Sequence, residues 1–312
     1  MVIAEISGNH GGDLLTARAL VIAAKAAGAD AVKTQMFTPS GMTLDSDLAH
    51  FKAKEPWNRK LYDLYKTTAL PYKWIPELQK IAKELAIELF TSVYDLESLS
   101  QAEKFNMPRY KIASFEINYT ELLEAVAKTQ KPVILSIGTA TEQEIRDAVK
   151  ILGNPILLKC ISKYPNDLDD LNLATIADMK DRFGCRVGFS DHTIGIFAAS
   201  IAVAAGAEVV EKHITMDKTG PDGGFSLLPS EFMAMVEAIN CAKLCLGKVS
   251  YETPKNYRRS MIAIEPIKKG ARLKGKIKAL RTTEQGNMNV GSIATKDYEI
   301  GEMINGNDTN II

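Results

Sequence analysis

The chain has 312 residues, 46% hydrophobic and 24% charged, with a formal net charge of zero. That is globular composition, long enough for one large α/β domain and a small one, and the balanced charge points to neither nucleic acid nor a membrane surface as a partner. The cysteines Cys160, Cys185, Cys241 and Cys245 show no C-x-x-C spacing and read as reduced core thiols of a cytosolic protein; no signal peptide or membrane-length apolar run is expected.

In chain order, eight short apolar runs read as buried parallel strands: 2–7, 31–35, 89–93, 110–114, 132–138, 156–161, 186–191 and 208–214. Helical patterns separate them. Leu15, Ala19, Ile22, Ala23 and Ala26 form one candidate buried face. Phe232, Met235, Val236 and Ile239 form another, with Ser230 after Pro229 as its candidate N-cap. Eight β/α units predict an α/β fold, a (β/α)8 TIM barrel over residues 1–246; an open doubly wound sheet is the alternative. Residues 36–71 are a long excursion after the second strand, of the kind that forms lids and interface segments.

The C-terminal ends of barrel strands carry the chemistry. Every strand here carries polar groups at that end: Glu5, Ser7, Asn9 and His10; Lys33 and Gln35; Thr91 and Ser92; Lys111 and Ser114; Ser136; Ser162, Lys163 and Tyr164; Asp191 and His192; Glu211, Lys212 and His213. Singly, a serine here caps a helix and a histidine is structural; as a set they are a candidate site. Lys33, Lys111, Gln35, Ser114 and Ser136 would suit a small dianion such as a phosphate. His192 and His213 end consecutive strands joined by an Ala-rich helix pattern of about 12 residues, so a βαβ crossover sets them side by side. Near Asp191 and Glu211 they suggest a divalent metal, with Glu5 a third ligand or a general base.

Residues 247–257 read as a linker. Beyond it the charge is segregated: Arg258–Arg281 holds nine Lys/Arg and one Glu, whereas 282–312 holds one Lys and five Asp/Glu. A weak repeat relates IEPIKKGARL (264–273) to TKDYEIGEMI (295–304), with Gly270 and Gly301 in equivalent places, and predicts a small pseudo-twofold domain.

Taken together, AEISGNHGG, AVKTQ, YKIASFEI, LSIGTAT, KCISKYP, GFSDHT, EKHIT and GPDGGFSLLPSEF, in this order, resemble the sialic acid synthase family. Residues 258–312 are similar to its antifreeze-like (SAF) domain, a small β-rich unit. The resemblance implies a transferase that condenses phosphoenolpyruvate with an open-chain amino-hexose to a nine-carbon α-keto acid and phosphate, in a cytoplasmic, domain-swapped homodimer. It implies Mn²⁺ (or Mg²⁺ or Co²⁺) on His192 and His213, and Glu5 beside the metal and the sugar aldehyde. Phosphoenolpyruvate would be held by Gln35, Lys111, Ser114 and Ser136 with Lys33, Ser92, Ser162 and Tyr164; Asn9 and His10 belong to the substrate set, Asp222 would meet the sugar, and Arg281 would reach the partner's site. Ser7, TLDSD with WNRKLYDLY and LPYKW, and Phe115 resemble the pseudaminate-forming branch; N-acetylneuraminate or legionaminate formation is the alternative. The family's Arg-Pro-Gly-x-Gly is replaced by Arg281-Thr-Thr-Glu-Gln-Gly286, a common Asn by Ser162, and a Gly by Phe115. A barrel metal hydrolase or aldolase, and a non-catalytic sugar-binding protein, are the rival classes.

Overall fold

The structure, a computed structural model, describes residues 1–54, 57–251, 256–284, 286 and 288–310. It contains two compact units, Met1–Gly247 and Lys248–Ile312. In the first, eight parallel strands close into a barrel in sequence order. They are β1 (Val2–Glu5), β2 (Ala31–Met36), β3 (Glu88–Val93), β4 (Tyr110–Ile112), β5 (Val133–Ser136), β6 (Ile156–Lys159), β7 (Val187–Asp191) and β8 (Val209–His213). Pairing of β8 with β1, with Glu5 opposite His213, closes the ring and excludes the open sheet. Most of these strands are shorter than the apolar runs that announce them, because the chain turns out of the ladder as soon as it reaches the polar rim.

Alternation along the strands sorts the barrel interior into layers. Ile3, Ala31, Phe90, Ile134, Ile156, Leu158 and Val209 form a closed apolar plug. One pleat further along the same faces come Glu5, Lys33, Ser92, Lys111, Ser136, Ser190 and Glu211, all buried. Gly188 belongs to the plug, and only glycine fits there: a Cβ would lie 2.3 Å from the Val209 carbonyl oxygen. The opposite strand faces join the helices in a larger outer core.

The first helix, α1 (Leu14–Ala26), starts at Asp13, whose carboxylate accepts from the Thr16 N–H. Its buried face is Ala17, Leu20, Val21 and Ala24, not the predicted one; Leu15 and Ile22 are exposed. The helix is apolar almost all round, so periodicity alone leaves its inward face undetermined. The last barrel helix, α10 (Pro229–Leu246), buries Phe232, Met235, Val236 and Ile239 as expected. Its cap is corrected: Leu228 is the N-cap and Pro229 opens the first turn, where it has no N–H to leave unpaired. The Glu231 carboxylate accepts from the Leu228 N–H at 2.7 Å. Cys160 and Cys185 are buried, but Cys241 and Cys245 are exposed on α10 rather than in the core.

The long excursion contains α2 (Pro39–Met42) and α3 (Leu61–Thr68); of this segment, residues 55 and 56 lie outside the described residues. Four further helices, α4 (Ile75–Glu84), α5 (Leu96–Lys104), α6 (Thr120–Lys128) and α7 (Glu142–Leu152), follow in turn, then α8 (Thr175–Phe183). The crossover from β7 to β8 carries α9 (Phe197–Ala204), eight residues instead of about twelve, because 193–196 form a loop above the rim. Among the described residues no helix is long and apolar enough to cross a membrane.

The second unit is built from β9 (Arg259–Ala263) paired antiparallel with β10 (Ile277–Arg281), and β11 (Ile293–Ala294) paired with β12 (Thr309–Asn310). The repeat in the sequence is a repeat in the hydrogen bonding. Gly270 N–H donates to Ala294 O, and Gly301 N–H donates to Ala263 O; Leu273 N–H donates to Ser292 O, and Ile304 N–H to Met261 O. Both glycines have positive φ, +85° and +89°, as the turns require. Ile267 bridges Tyr298, and these two with Ala263, Leu273, Ala294 and Ile304 form the unit's own core. Of the linker 247–257, residues 252–255 lie outside the described residues.

Candidate active site

The polar layer forms the floor of a cavity of about 900 Å³ at the C-terminal end of the barrel. Lys33, Gln35, Lys111, Ser114, Ser162, Tyr164, His192, His213 and Asp222 all line it. Glu5, Ser92 and Ser136 lie directly beneath or beside these and act on them. The Lys33 ammonium pairs with Glu5 and lies 3.6 Å from Glu211; it donates to Ser92 Oγ at 2.9 Å. Lys111 donates to Ser136 Oγ at 2.7 Å and lies 4.0 Å from Glu211. Ser190 donates to Glu211 at 3.1 Å. The two lysines therefore do not stand as bare cations: Glu211 spans them and Glu5 closes one end.

Burial and charge pull these groups in opposite directions. Burial works to raise Glu211, but Lys111 and Lys33 hold it below its ordinary value. Burial pushes Glu5 up to about 7, against Lys33 and with repulsion from Glu211. Burial lowers Lys111, although Glu211 opposes it; Lys33 is driven the other way, its burial outweighed by Glu211 and Glu5. At neutral pH this is a charged network with one proton close to exchange, held at Glu5.

The histidine pair stands above it. The imidazole centroids of His192 and His213 are 5.5 Å apart. Burial lowers His192 to about 4, against the help of its hydrogen bond to the Ile161 carbonyl. Burial, then the neighbouring His192, lowers His213 well below the ordinary value. Both rings are therefore neutral. His192 Nδ1 lies 3.2 Å from Ile161 O, which puts its proton on Nδ1 and leaves Nε2 with a free lone pair. His213 Nδ1 has no hydrogen-bond partner among the described residues and is 3.8 Å from Asp222 Oδ2. Tyr164 and Phe225 pack against these rings at 4.3 and 5.1 Å and wall them off.

Asp191 and Lys212, adjacent in sequence to the histidines, point the other way. They face each other across the β7–β8 register on the outer face of the barrel, 3.0 Å apart and without exposure. Asp191 is thus no ligand candidate; it accepts from Thr193 N and Oγ. Asn9 and His10 lie in the turn behind the lining. Asn9 Nδ2 donates to Ile214 O and Ser226 Oγ, and His10 packs edge-on to Trp74. Ser114 and Ser162 share a hydrogen bond of 2.7 Å. Arg281 is the last residue of β10 in the second unit.

Several lining residues escape a reading by alternation. Glu116 follows β4 in a 3-10 turn, where period-2 logic no longer holds; burial pushes it up to about 7, against Lys111. Phe225 lies in a turn for the same reason, whereas Ser7, expected at the polar end of the first strand, lines the cavity from a 3-10 turn. One wall, including Met42, Trp57, Leu61 and Tyr65, comes from the excursion. Trp57 ties that wall to the opposite loop by donating to Pro221 O at 3.1 Å. The LDSD and WNRK motifs mark the segment in the sequence, but not its inward side.

Fold and site together define a (β/α)8 enzyme with paired neutral histidines above a buried lysine–carboxylate network. The chain belongs to the NeuB family, whose model matches residues 20–251. It is 39% identical to a pseudaminic acid synthase of Campylobacter jejuni, over 98% of this chain and 96% of that protein. It is equally identical to the pseudaminic acid synthase of Helicobacter pylori, over 90% and 87%. A solved N-acetylneuraminic acid synthetase from Leptospira borgpetersenii superposes with a TM-score of 0.72 at 34% identity, covering 81% of this chain and 87% of that one.

Proposed function

We propose that this chain is a pseudaminic acid synthase. It joins phosphoenolpyruvate to 2,4-diacetamido-2,4,6-trideoxy-L-altropyranose, giving the nine-carbon α-keto acid and phosphate. The observation that carries the reading is the neutral His192–His213 pair in one cavity with Lys33 and Lys111, supported by the Campylobacter and Helicobacter relatives. Legionaminic acid synthases, at 34% identity over 97% of the chain in one case, are the alternative branch.

The donor set fits a divalent cation. Two imidazoles are held neutral with lone pairs unclaimed, and the Asp222 carboxylate is beside one of them. Among the described residues there is no cluster of three or more His, Cys, Asp or Glu suited to a metal, so the protein's share would be His192 and His213, with oxygen ligands completing the shell. When bound, such an ion, most simply Mn²⁺, polarises the sugar aldehyde.

The remaining steps belong to side chains. Lys33, Lys111, Ser114, Ser136 and Ser162, with Gln35, Ser92 and Tyr164 beside them, hold the phosphate and carboxylate of phosphoenolpyruvate. Its C=C electron pair forms the C–C bond to the aldehyde carbon, the aldehyde oxygen takes up a proton as its π bond opens, and C2 is left with oxocarbenium character. Water adds at C2, giving its proton to Glu5 or Glu116, both poised near neutrality. The tetrahedral intermediate then breaks its C–O bond and releases phosphate. Fixing both substrates in one closed frame supplies much of the rate. Residues 258–312 are read as an antifreeze-like domain whose Arg281 reaches the partner barrel of a cytoplasmic homodimer.

The test is phosphate release from phosphoenolpyruvate, Mn²⁺ and each candidate hexosamine in parallel, with ¹⁸O in the bridging C–O bond. The label is expected in phosphate, and His192→Ala is expected to abolish release with the fold retained by circular dichroism. Label left in the sugar acid excludes C–O cleavage; no phosphoenolpyruvate consumption with any hexosamine excludes the class and favours a hydrolase or aldolase.

A further inference from the structure

The turn after β1 is strained at a residue that the reaction chemistry does not call on. Ser7 has φ +44°, in the left-handed region that glycine enters freely and a residue with a Cβ enters at a cost. A glycine would make the same turn without strain; what the serine adds is a side chain. That side chain reaches across the barrel mouth: Ser7 Oγ donates to Asp222 Oδ2. The Ser7 backbone N–H donates in the other direction, to Glu5 Oε1 at 2.5 Å. In this left-handed conformation the one residue bonds both carboxylates. Ser7 is buried and lines the cavity together with Asp222.

The loop that carries Asp222 is anchored separately through its main chain and neighbours. Asn9 Nδ2 donates to Ile214 O at 2.9 Å and to Ser226 Oγ at 2.8 Å, and Ser226 Oγ donates to Asp222 O at 2.6 Å. These contacts place the loop, and the buried Asp222 carboxylate itself accepts from the Gly8 backbone N–H. Beside that main-chain donor, Ser7 Oγ is the side-chain donor on the carboxylate, and it bonds the oxygen that lies 3.8 Å from His213 Nδ1.

We infer that Ser7 is a positioning residue for sugar recognition: it aims the Asp222 carboxylate at hydroxyl or amide N–H donors of the incoming open-chain sugar. The inference rests on the proposed function. With one oxygen held by Ser7, the carboxylate keeps acceptor capacity for the sugar in a fixed direction. In that reading phosphoenolpyruvate is held by Lys33, Lys111 and the serines beside them, none of which bonds Asp222.

Two substitutions in the full-length enzyme separate strain from aim. Ser7→Gly removes the hydroxyl and the strain; Ser7→Ala removes the hydroxyl and keeps the strain. The KM for the diacetamido-trideoxy-altrose is expected to rise about 10-fold in both, the size of a lost hydrogen bond to a carboxylate. The KM for phosphoenolpyruvate should stay within about twofold, and Ser7→Gly should melt above Ser7→Ala. A sugar KM near wild type in Ser7→Gly, with only Ser7→Ala impaired, overturns the inference and makes Ser7 a structural residue; so does an equal rise in both KM values. Calorimetric affinity for the sugar is measured alongside. A wild-type protein that binds the sugar but releases no phosphate overturns the reaction, while the two variants' affinities still decide the role of Ser7.

Discussion

At the scale of single residues, the cavity holds carboxyls that are kept from their ordinary ionisation by burial. Glu116 is the clearest, because its main neighbouring cation, Lys111, fails to bring it back down and its Oε2 has no hydrogen-bond partner among the described residues. Its value in the folded chain, about 7, lies above the ordinary 4.5. The folded state therefore binds more protons than the unfolded chain between those values, and stability falls as pH rises through that window. Above it, the folded protein carries the full cost of a buried carboxylate. Glu116→Gln removes the charge and nearly keeps the shape. It is expected to be more stable than wild type at about pH 8, by about 1–3 kcal/mol, and no more stable at about pH 4. Thermal melts across that range read it directly; an advantage independent of pH would mean that ionisation of Glu116 is not its source.

At the scale of elements, β7 and β8 use both of their faces. The inner faces present His192 and His213; the outer faces pair Asp191 with Lys212, and Lys212 also donates to Thr193 O at 2.5 Å. A fully buried ion pair gains little over apolar packing, but one half of it left alone is costly. Lys212→Ala is therefore expected to lose about 3–5 kcal/mol, while Lys212→Met with Asp191→Leu recovers most of the loss. Chemical denaturation of the two variants checks this, and a double variant as unstable as the single one would show that the pair itself is needed. The same strands show what a sequence can reveal. Period-2 alternation with polar strand ends was enough to gather Lys33, Lys111, His192 and His213 in advance, since each lies on or one residue past a regular strand. Polar strand ends alone also admit Asp191 and Lys212, which the pleat turns away from the neighbouring His192 and His213. Glu116 lies in a turn, where side-chain direction depends on dihedrals that no periodicity encodes. The inward face of α1 was illegible for a different reason, the near-uniform apolarity that makes Leu15 and Ala17 look alike.

At the scale of the whole molecule, the chain divides into two cores of different kinds. The barrel's stability is spread over a plug, an outer shell and ten helices among the described residues. Among the described residues, the second unit's hydrophobic cluster is six buried side chains, joined by a few reciprocal hydrogen bonds. A domain that small has little excess stability, so each of those side chains bears a large share. The pseudo-twofold makes two of them equivalent: Leu273 and Ile304, each 1% exposed, follow the two positive-φ glycines at the same spacing. Leu273→Ala and Ile304→Ala should then cost similar amounts, about 2–5 kcal/mol each. Native-state hydrogen exchange gives the readout. Protection is expected to fall at the amides of β9 to β12, with the slowest-exchanging barrel amides unchanged. A matching loss in β1 to β8 would show that the two cores unfold as one cooperative unit, and a marked inequality between the two variants would show that the symmetry of the backbone is not a symmetry of its energetics.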